Sequence, residues 1–350
     1  MPEPLLAPSI DPTPIFEIFR GNYATELLTA AVAHFDLFAR LADGPRPEEQ
    51  LQTELGLAPR PANVLFTALR AFGLLCNNPQ GRLELTALAR EHLLPVGEFD
   101  VSGYIGLAAD SPGVLAMVER LRTNRPPGGG DDESGTAFIY RQGVRSAMDR
   151  AETARRLTMS LAGRAKNVAP VLAERLPLDG ARHLLDVAGG SGMYAIACLR
   201  RHPHLRAAVW DRAEVLKVAA ELAAEYDVAD RLQCVAGDMF DDPVPGDADV
   251  MLLSNVLHDW DVPECRRLVG RLAAALPAGG RLLIHDVFLN DALDGPLPIA
   301  LYSAALFSLT EGRAYSTAEY RRWLIEAGLT PRPIVPTLIH CGVLEGTKGH

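Results

Sequence analysis

From residue 182 to the end of the chain, short apolar runs alternate with stretches of helical periodicity, and no other feature constrains the fold as tightly. The runs lie at 183–187, 207–210, 232–235, 250–254 and 281–284, with helical spacing near 193–201, 213–226, 263–275 and 316–328. Such alternation predicts an α/β fold, a parallel sheet with helices on both faces. Two closing strands are expected at 330–336 and 338–344. Pro331, Pro333 and Pro336 put the first of these at an edge, because proline cannot donate to a ladder.

In an open parallel sheet, ligands collect beyond the carboxyl ends of the strands. The residues that follow each run are therefore the candidates for chemistry. The first run enters Ala188-Gly189-Gly190-Ser191-Gly192 and then a helix. Glycines there allow a close backbone approach and positive φ. The pattern D-x-A-x-G-x-G is not the dinucleotide fingerprint G-x-G-x-x-G, since Met193 stands three residues after Gly190. A plain tight turn would use the same residues. The second is followed by Asp211, 19 residues beyond Gly192. A carboxylate there can accept both hydroxyls of a ribose, or cap the next helix. The third is followed by Gly237-Asp238-Met239-Phe240, in which Asp238 suits an adenine amino group and Met239 and Phe240 suit the ring faces.

The fourth run ends at Ser254 and leads into NVLHDWD. Imidazole titrates closest to neutrality of the side chains, so His258 is a candidate general base. The fifth ends in His285-Asp286, and Asp286 is placed to orient His258 or to bind its imidazolium.

Residues 14–100 read as helices with one hairpin, in the winged-helix order of helix, turn, helix, hairpin. Over that span there are seven Arg and no Lys against eleven Asp and Glu, and the second helix offers only Arg60 and Arg70 to a groove. Phosphate contacts need several basic groups on one face, so packing or dimerisation is favoured over nucleic-acid binding. Residues 136–175 read as a long helical stretch. The segments RPPGGGDDESG (125–135) and LPLDGA (176–181) look like boundaries, dividing the chain into 1–100, a connector 101–180, and 181–350.

With these segments in order, the chain resembles the class I S-adenosylmethionine-dependent O-methyltransferases of the caffeate and bacterial-polyketide type. LDVAGGSG, VWD, GDMF and LHDWD carry the resemblance. It implies a Rossmann-like cofactor-binding domain, an N-terminal all-α winged-helix dimerisation domain, a homodimer and no metal. It further implies methylation of a hydroxyl on a small aromatic acceptor of secondary metabolism such as antibiotic biosynthesis, with S-adenosylhomocysteine as the other product. By position, His258 matches the base and Asp286 its partner. Ala188, Gly189, Gly190 and Gly192 match the loop at the methionine portion, Asp211 the ribose ligand, and Asp238, Met239 and Phe240 the adenine contacts. Phe138, Met148 and Met159 would line the acceptor pocket. Four departures stand out. Ala188 replaces the first loop glycine, so contact through its backbone requires a negative φ. Ser254 replaces a cofactor-touching lysine. Asp286 replaces a glutamate. Ala314 falls where the family carries a second assisting glutamate. A C-methyltransferase and a cofactor-binding relative that does not methylate are the alternatives.

Net charge is −10, which argues against broad binding to nucleic acid or anionic membranes. No apolar run reaches the roughly 18 residues that span a bilayer. The acidic, proline-rich start lacks the pattern of a secretory signal, and the five cysteines show no C-x-x-C, so a cytoplasmic protein without a disulfide framework or a structural zinc site is expected.

Overall fold

The structure is a computed structural model that describes residues 3–95, 97–125, 148, 150–176, 178 and 180–349. In chain order the helices and strands begin with α1 (Thr13–Arg20), α2 (Ala24–Thr29) running into a π turn, α3 (Leu37–Arg40), α4 (Glu48–Glu54) and α5 (Pro59–Ala71). The hairpin β1 (Leu75–Asn77) and β2 (Leu83–Leu85) follows, then α6 (Ala87–His92), α7 (Ser102–Gly106), α8 (Pro112–Thr123) and the long α9 (Ala151–Arg175). Next come β3 (His183–Val187), α10 (Met193–Arg201), β4 (Arg206–Asp211), α11 (Ala213–Glu225), β5 (Leu232–Ala236), β6 (Val250–Ser254), α12 (Val262–Ala275) and β7 (Arg281–Leu289). The chain closes with α13 (Leu297–Leu309), β8 (Tyr315–Ser316), α14 (Thr317–Glu326), β9 (Leu329–Pro331), β10 (Val335–Pro336) and β11 (Cys341–Lys348).

Contacts divide the chain into two units, one of residues 1–16, 136–288 and 317–350, the other of 17–135 and 289–316. These differ from the boundaries expected at 100 and 180. The connector 101–180 is shared between the units, and 289–316 groups with the helical unit. The reason lies in α13, LPIALYSAALFSL, which is apolar around its whole circumference and needs cover on all sides. It packs on α5, and its Ala304 and Phe307 join Leu27, Phe38, Leu51, Val64, Leu65 and Leu83 in one core. Arg60 of α5 is buried there, bonding Asn124 Oδ1 (2.9 Å) and the carbonyls of Thr310 (3.0 Å) and Gly312 (3.2 Å). Arg70 is also buried, held by Glu48 and Asn77. The two arginines of the second helix thus serve packing, and neither is available to a nucleic-acid groove.

Between residues 15 and 41 the helix is broken. Gly21-Asn22 ends α1, and Asp36 takes left-handed geometry (φ 47°) before α3. Asn and Gly are poor helix formers, and a residue in that geometry cannot continue a helix.

In the other unit the strands run in the order β10-β11-β7-β6-β3-β4-β5. The five from β7 to β5 are mutually parallel, and β11 is antiparallel to β7. Central strands β3, β6 and β7 are buried along most of their length, which is why their sequences are nearly unbroken apolar runs. Helix α9 packs on α10 and α11. The core joins Val168 and Leu172 of α9 to Ile196, Val209, Leu252 and Leu283. The chain steps from β3 through β4 to β5, then crosses back to β6 on the other flank of β3. That reversal opens a crevice at the carboxyl ends of β3 and β6.

The closing strands depart from expectation. The 330–336 segment is two fragments, β9 and β10, both pairing with β11. Pro333, which cannot donate to a ladder, stands between them. The last strand starts at Cys341 because Ile339 and His340 both have φ of 58° and form the turn before it. Among the described residues no helix is long and apolar enough to cross a membrane.

Candidate active site

The loop after β3 is shaped by three positive φ values, 50° at Ala188, 58° at Gly190 and 71° at Gly192. The negative φ on which contact through the Ala188 backbone depends is therefore not met. A left-handed alanine costs roughly 1–2 kcal/mol. Its N–H, donated to the Trp210 carbonyl at 2.8 Å, extends the β3–β4 ladder by one bond and holds it there. A Cβ on Gly189 would lie 2.5 Å from Asp186 Cγ, so the loop can fold back over that carboxyl only with glycine. At Gly190 a Cβ would meet nothing within 4 Å, so the outer side of the loop is an open cradle. Gly192 N–H bonds the Gly189 carbonyl (2.9 Å) and so closes the turn into α10.

Asp211 joins this loop to β4. Its Oδ2 accepts the Gly190 N–H (2.8 Å) and its Oδ1 the Arg212 N–H (2.7 Å). Burial pushes its carboxyl pKa up, against those two bonds. Each oxygen keeps a further lone pair, which is what two vicinal hydroxyls require. The cap reading is not what is seen, since Arg212 is the N-cap of α11.

Asp186 escaped sequence reasoning, although it is the one acid in the strand HLLDV. It is buried, no other side chain bonds either oxygen, and burial pushes its pKa up to about 7 against a backbone N–H from Ala195. A buried carboxylate beside an open glycine cradle is a polar feature that a bound cation-bearing group would satisfy.

In the GDMF segment Asp238 is exposed, and its Oδ1 accepts the N–H of Phe240 (2.8 Å) and of Asp241 (3.3 Å). Met239 is half-buried. Phe240 is only 7% exposed and lies edge-on to Trp260, ring centres 4.6 Å apart. Its ring is committed largely to the protein, which leaves Met239 as the residue of the pair better placed to meet a flat ligand.

His258 sits in a 3-10 turn, Leu257–Asp259, just past β6, and is buried. Its Nδ1 is 2.6 Å from Asp286 Oδ1, and its Nε2 is 3.7 Å from Asp259 Oδ1. Asp286 Oδ1 also accepts the Val287 N–H (2.8 Å), and Oδ2 accepts the Tyr320 O–H (3.0 Å). Burial disfavours the imidazolium and Arg164 opposes it, but the Asp286 and Asp259 carboxylates outweigh both and raise the His258 pKa. For Asp286 burial is likewise outweighed, by His258, Val287 and Tyr320, and its pKa is lowered. Burial pushes Asp259 up to about 6.

Ser254, expected at the cofactor, is tied into a second network. Its Oγ is 2.8 Å from His285 Nδ1 and receives Asn255 Nδ2 at 3.1 Å. His285 Nε2 reaches Thr337 Oγ1 (3.1 Å), and burial pushes its pKa down to about 3. Arg164 donates to Asn255 Oδ1 (2.9 Å). Of the proposed pocket residues, Phe138 lies outside the described residues, Met148 is half-buried, and Met159 is 40% exposed on α9. Among the described residues no group of three or more His, Cys, Asp and Glu could hold a metal ion.

A family model described as an O-methyltransferase domain matches residues 132–330. The chain is 35% identical over 319 residues to 3-hydroxy-5-methyl-1-naphthoate 3-O-methyltransferase of Streptomyces sahachiroi, covering 91% of this chain and 89% of that one. The chain belongs to the O-methyltransferase family. The enzyme is thus an S-adenosylmethionine-dependent methyltransferase, as its motifs imply. It is also 30% identical, over 331 residues and 91% of each chain, to the tetracenomycin polyketide synthesis 8-O-methyl transferase TcmO of Streptomyces glaucescens. Among solved structures, the methyltransferase superposes with a TM-score of 0.88 on an O-methyltransferase family 2 protein from Planctomyces limnophilus in complex with apigenin. The two are 50% identical, with 99% of this chain and 98% of that one covered.

Proposed function

We propose that this methyltransferase acts on a phenolic hydroxyl of a small aromatic molecule of secondary metabolism, with His258 as general base, as a cytoplasmic homodimer. The observation that carries the reading is the buried His258–Asp286 pair, 2.6 Å apart, at the carboxyl edge of the sheet that also holds the glycine cradle. The aromatic acceptor is supported by the relative named for a naphthoate hydroxyl and by the apigenin complex of the 50% identical protein.

The residues present fit the cofactor: an open loop, the Asp211 carboxylate bonded to that loop for a ribose, and exposed Asp238 beside Met239 for a purine. S-adenosylmethionine, when bound, supplies a methyl group on a positively charged sulfur. His258 takes the hydroxyl proton on Nε2 while Asp286 holds Nδ1–H. A phenol titrates near ~10 and a free imidazole near ~6.5, so complete proton transfer before attack would cost about 5 kcal/mol. The upward shift of His258 narrows that gap, and removal of the proton as the oxygen attacks avoids most of the rest. Dimerisation is supported by α1, on which Ile15, Ile18 and Phe19 form one apolar stripe at i, i+3, i+4, with Ile18 81% exposed.

The test is His258→Ala. Turnover, read as S-adenosylhomocysteine released, should fall by about 10²–10⁴ while affinity for that product stays nearly unchanged. Full activity in a folded variant would remove His258 from the base role. NMR of the product separates O–CH₃ from C–CH₃.

A further inference from the structure

The Asp286 carboxylate has a third ligand that the motif reading does not contain. Its Oδ1 serves His258 Nδ1 (2.6 Å) and Val287 N–H (2.8 Å), and its Oδ2 receives the hydroxyl of Tyr320 at 3.0 Å. Tyr320 is fully buried on α14. Its ring is fixed by edge contacts to Phe288, at 5.2 Å, and to Trp323, at 5.3 Å. A phenylalanine would make the same ring contacts, so the hydroxyl is the group left to explain. A buried hydroxyl is kept only where it has a partner, and here that partner is the carboxylate bound to the base.

We propose that Tyr320 is a positioning residue for the base: its hydroxyl holds Asp286 as an anion, with Oδ1 turned to Nδ1 of His258, and so lowers the pH at which the imidazole becomes free to accept a proton. The proposal rests on the reading of His258 as base. Its physical argument is a difference between two protonation states. When His258 is an imidazolium, the charge on Asp286 is partly neutralised and the Tyr320 bond is weaker. When His258 is neutral, Asp286 carries its full charge and the bond is stronger. The hydroxyl therefore favours the neutral, base-competent imidazole. Among the described residues, the pair is also faced by Asp259 on the same turn, by the Arg164 guanidinium of α9 and by His285, next to Asp286 on β7 and held neutral by burial. Of these Asp259 favours the imidazolium, while Arg164 and Tyr320 oppose it.

The experiment is an NMR titration of the full chain carrying ¹³C-labelled histidine, with His258→Ala used to assign the signal. Tyr320→Phe should raise the His258 pKa by about half to one unit, since one hydrogen bond to a charged group is lost in the neutral-imidazole state. With apigenin as acceptor probe, the acidic limb of turnover should move to higher pH by the same amount, so that the loss is largest below neutrality. The KM for S-adenosylmethionine should stay within about twofold, because Tyr320 touches no cradle residue. Trp323→Phe, which changes the packing of the ring and keeps the Tyr320 hydroxyl, should leave the titration unmoved. If Tyr320→Phe does not fold, replacement of tyrosine by 3-fluorotyrosine, a stronger donor, should move His258 the opposite way. An unmoved His258 titration in folded Tyr320→Phe, or with 3-fluorotyrosine, overturns the proposal. Turnover retained in His258→Ala would instead defeat the base reading, and the titration would still report on Tyr320.

Discussion

Asp286→Asn is the most informative single change. The side chain keeps its shape, so packing around the fully buried site is preserved. The amide oxygen can still accept His258 Nδ1–H and Val287 N–H, while Nδ2 faces Tyr320, whose oxygen then accepts instead of donating. What disappears is the negative charge 2.6 Å from Nδ1. A hydrogen bond to a charged group contributes about 1.5–3 kcal/mol, and a neutral one about 1. The imidazolium that forms as the acceptor loses its proton should therefore be destabilised by roughly 1–2 kcal/mol, a fall of about 5–30-fold in turnover. The pH profile moves as well. Asp286 raises the His258 pKa, and without that charge burial and Arg164 gain weight. The acidic limb of kcat/KM should then shift to lower pH, opposite to the shift expected for Tyr320→Phe. The assay is S-adenosylhomocysteine release between pH 5 and 9 at saturating cofactor, with calorimetric affinity for the product as the control. A folded variant with unchanged turnover and an unmoved limb would refute the claim that Asp286 acts through its charge on His258. A loss confined to cofactor affinity would refute it as well.

Three further outcomes follow from the geometry. Asp211→Ala removes the acceptor of the Gly190 N–H along with the ribose ligand, so product affinity by calorimetry should weaken about 10–100-fold, with a smaller effect on turnover at saturating cofactor. Asp186 has a folded pKa raised to about 7, so its ionisation opposes folding as pH rises from the unfolded value, near 4, toward neutrality. Cofactor-free Asp186→Asn should therefore gain more thermal stability over the parent at pH 8 than at pH 5, and equal melting shifts at both pH values would contradict the assignment. Ile18→Glu places a charge in the exposed apolar stripe of α1 and should convert a dimer to monomer by sedimentation, with the far-ultraviolet spectrum unchanged.

Much of the sheet unit was legible because its signals are local. A strand buried on both faces must be an unbroken apolar run, and β3, β6 and β7 were found on that basis. The cradle was legible as well, since positive φ selects glycine, and Gly190 and Gly192 mark two of its three left-handed positions. Ala188 misled because its geometry is imposed by a ladder bond to Trp210, a residue 22 positions away. The setting of Phe240 was hidden for a similar reason. Its partner Trp260 comes from another loop, and nothing in GDMF announces that contact.

The order of apolar runs and the residues after each were enough to determine the α/β class, the family, and the edge of the sheet at which chemistry occurs, because strand periodicity and loop glycines are written in consecutive residues. Tertiary structure alone decided that α13 joins the helical core, that Ser254 bonds His285, and that Tyr320 completes the ligands of Asp286. These depend on which distant side chains burial brings into contact. A buried polar atom takes the partner that packing delivers, and that partner leaves no trace in its own neighbourhood of the chain.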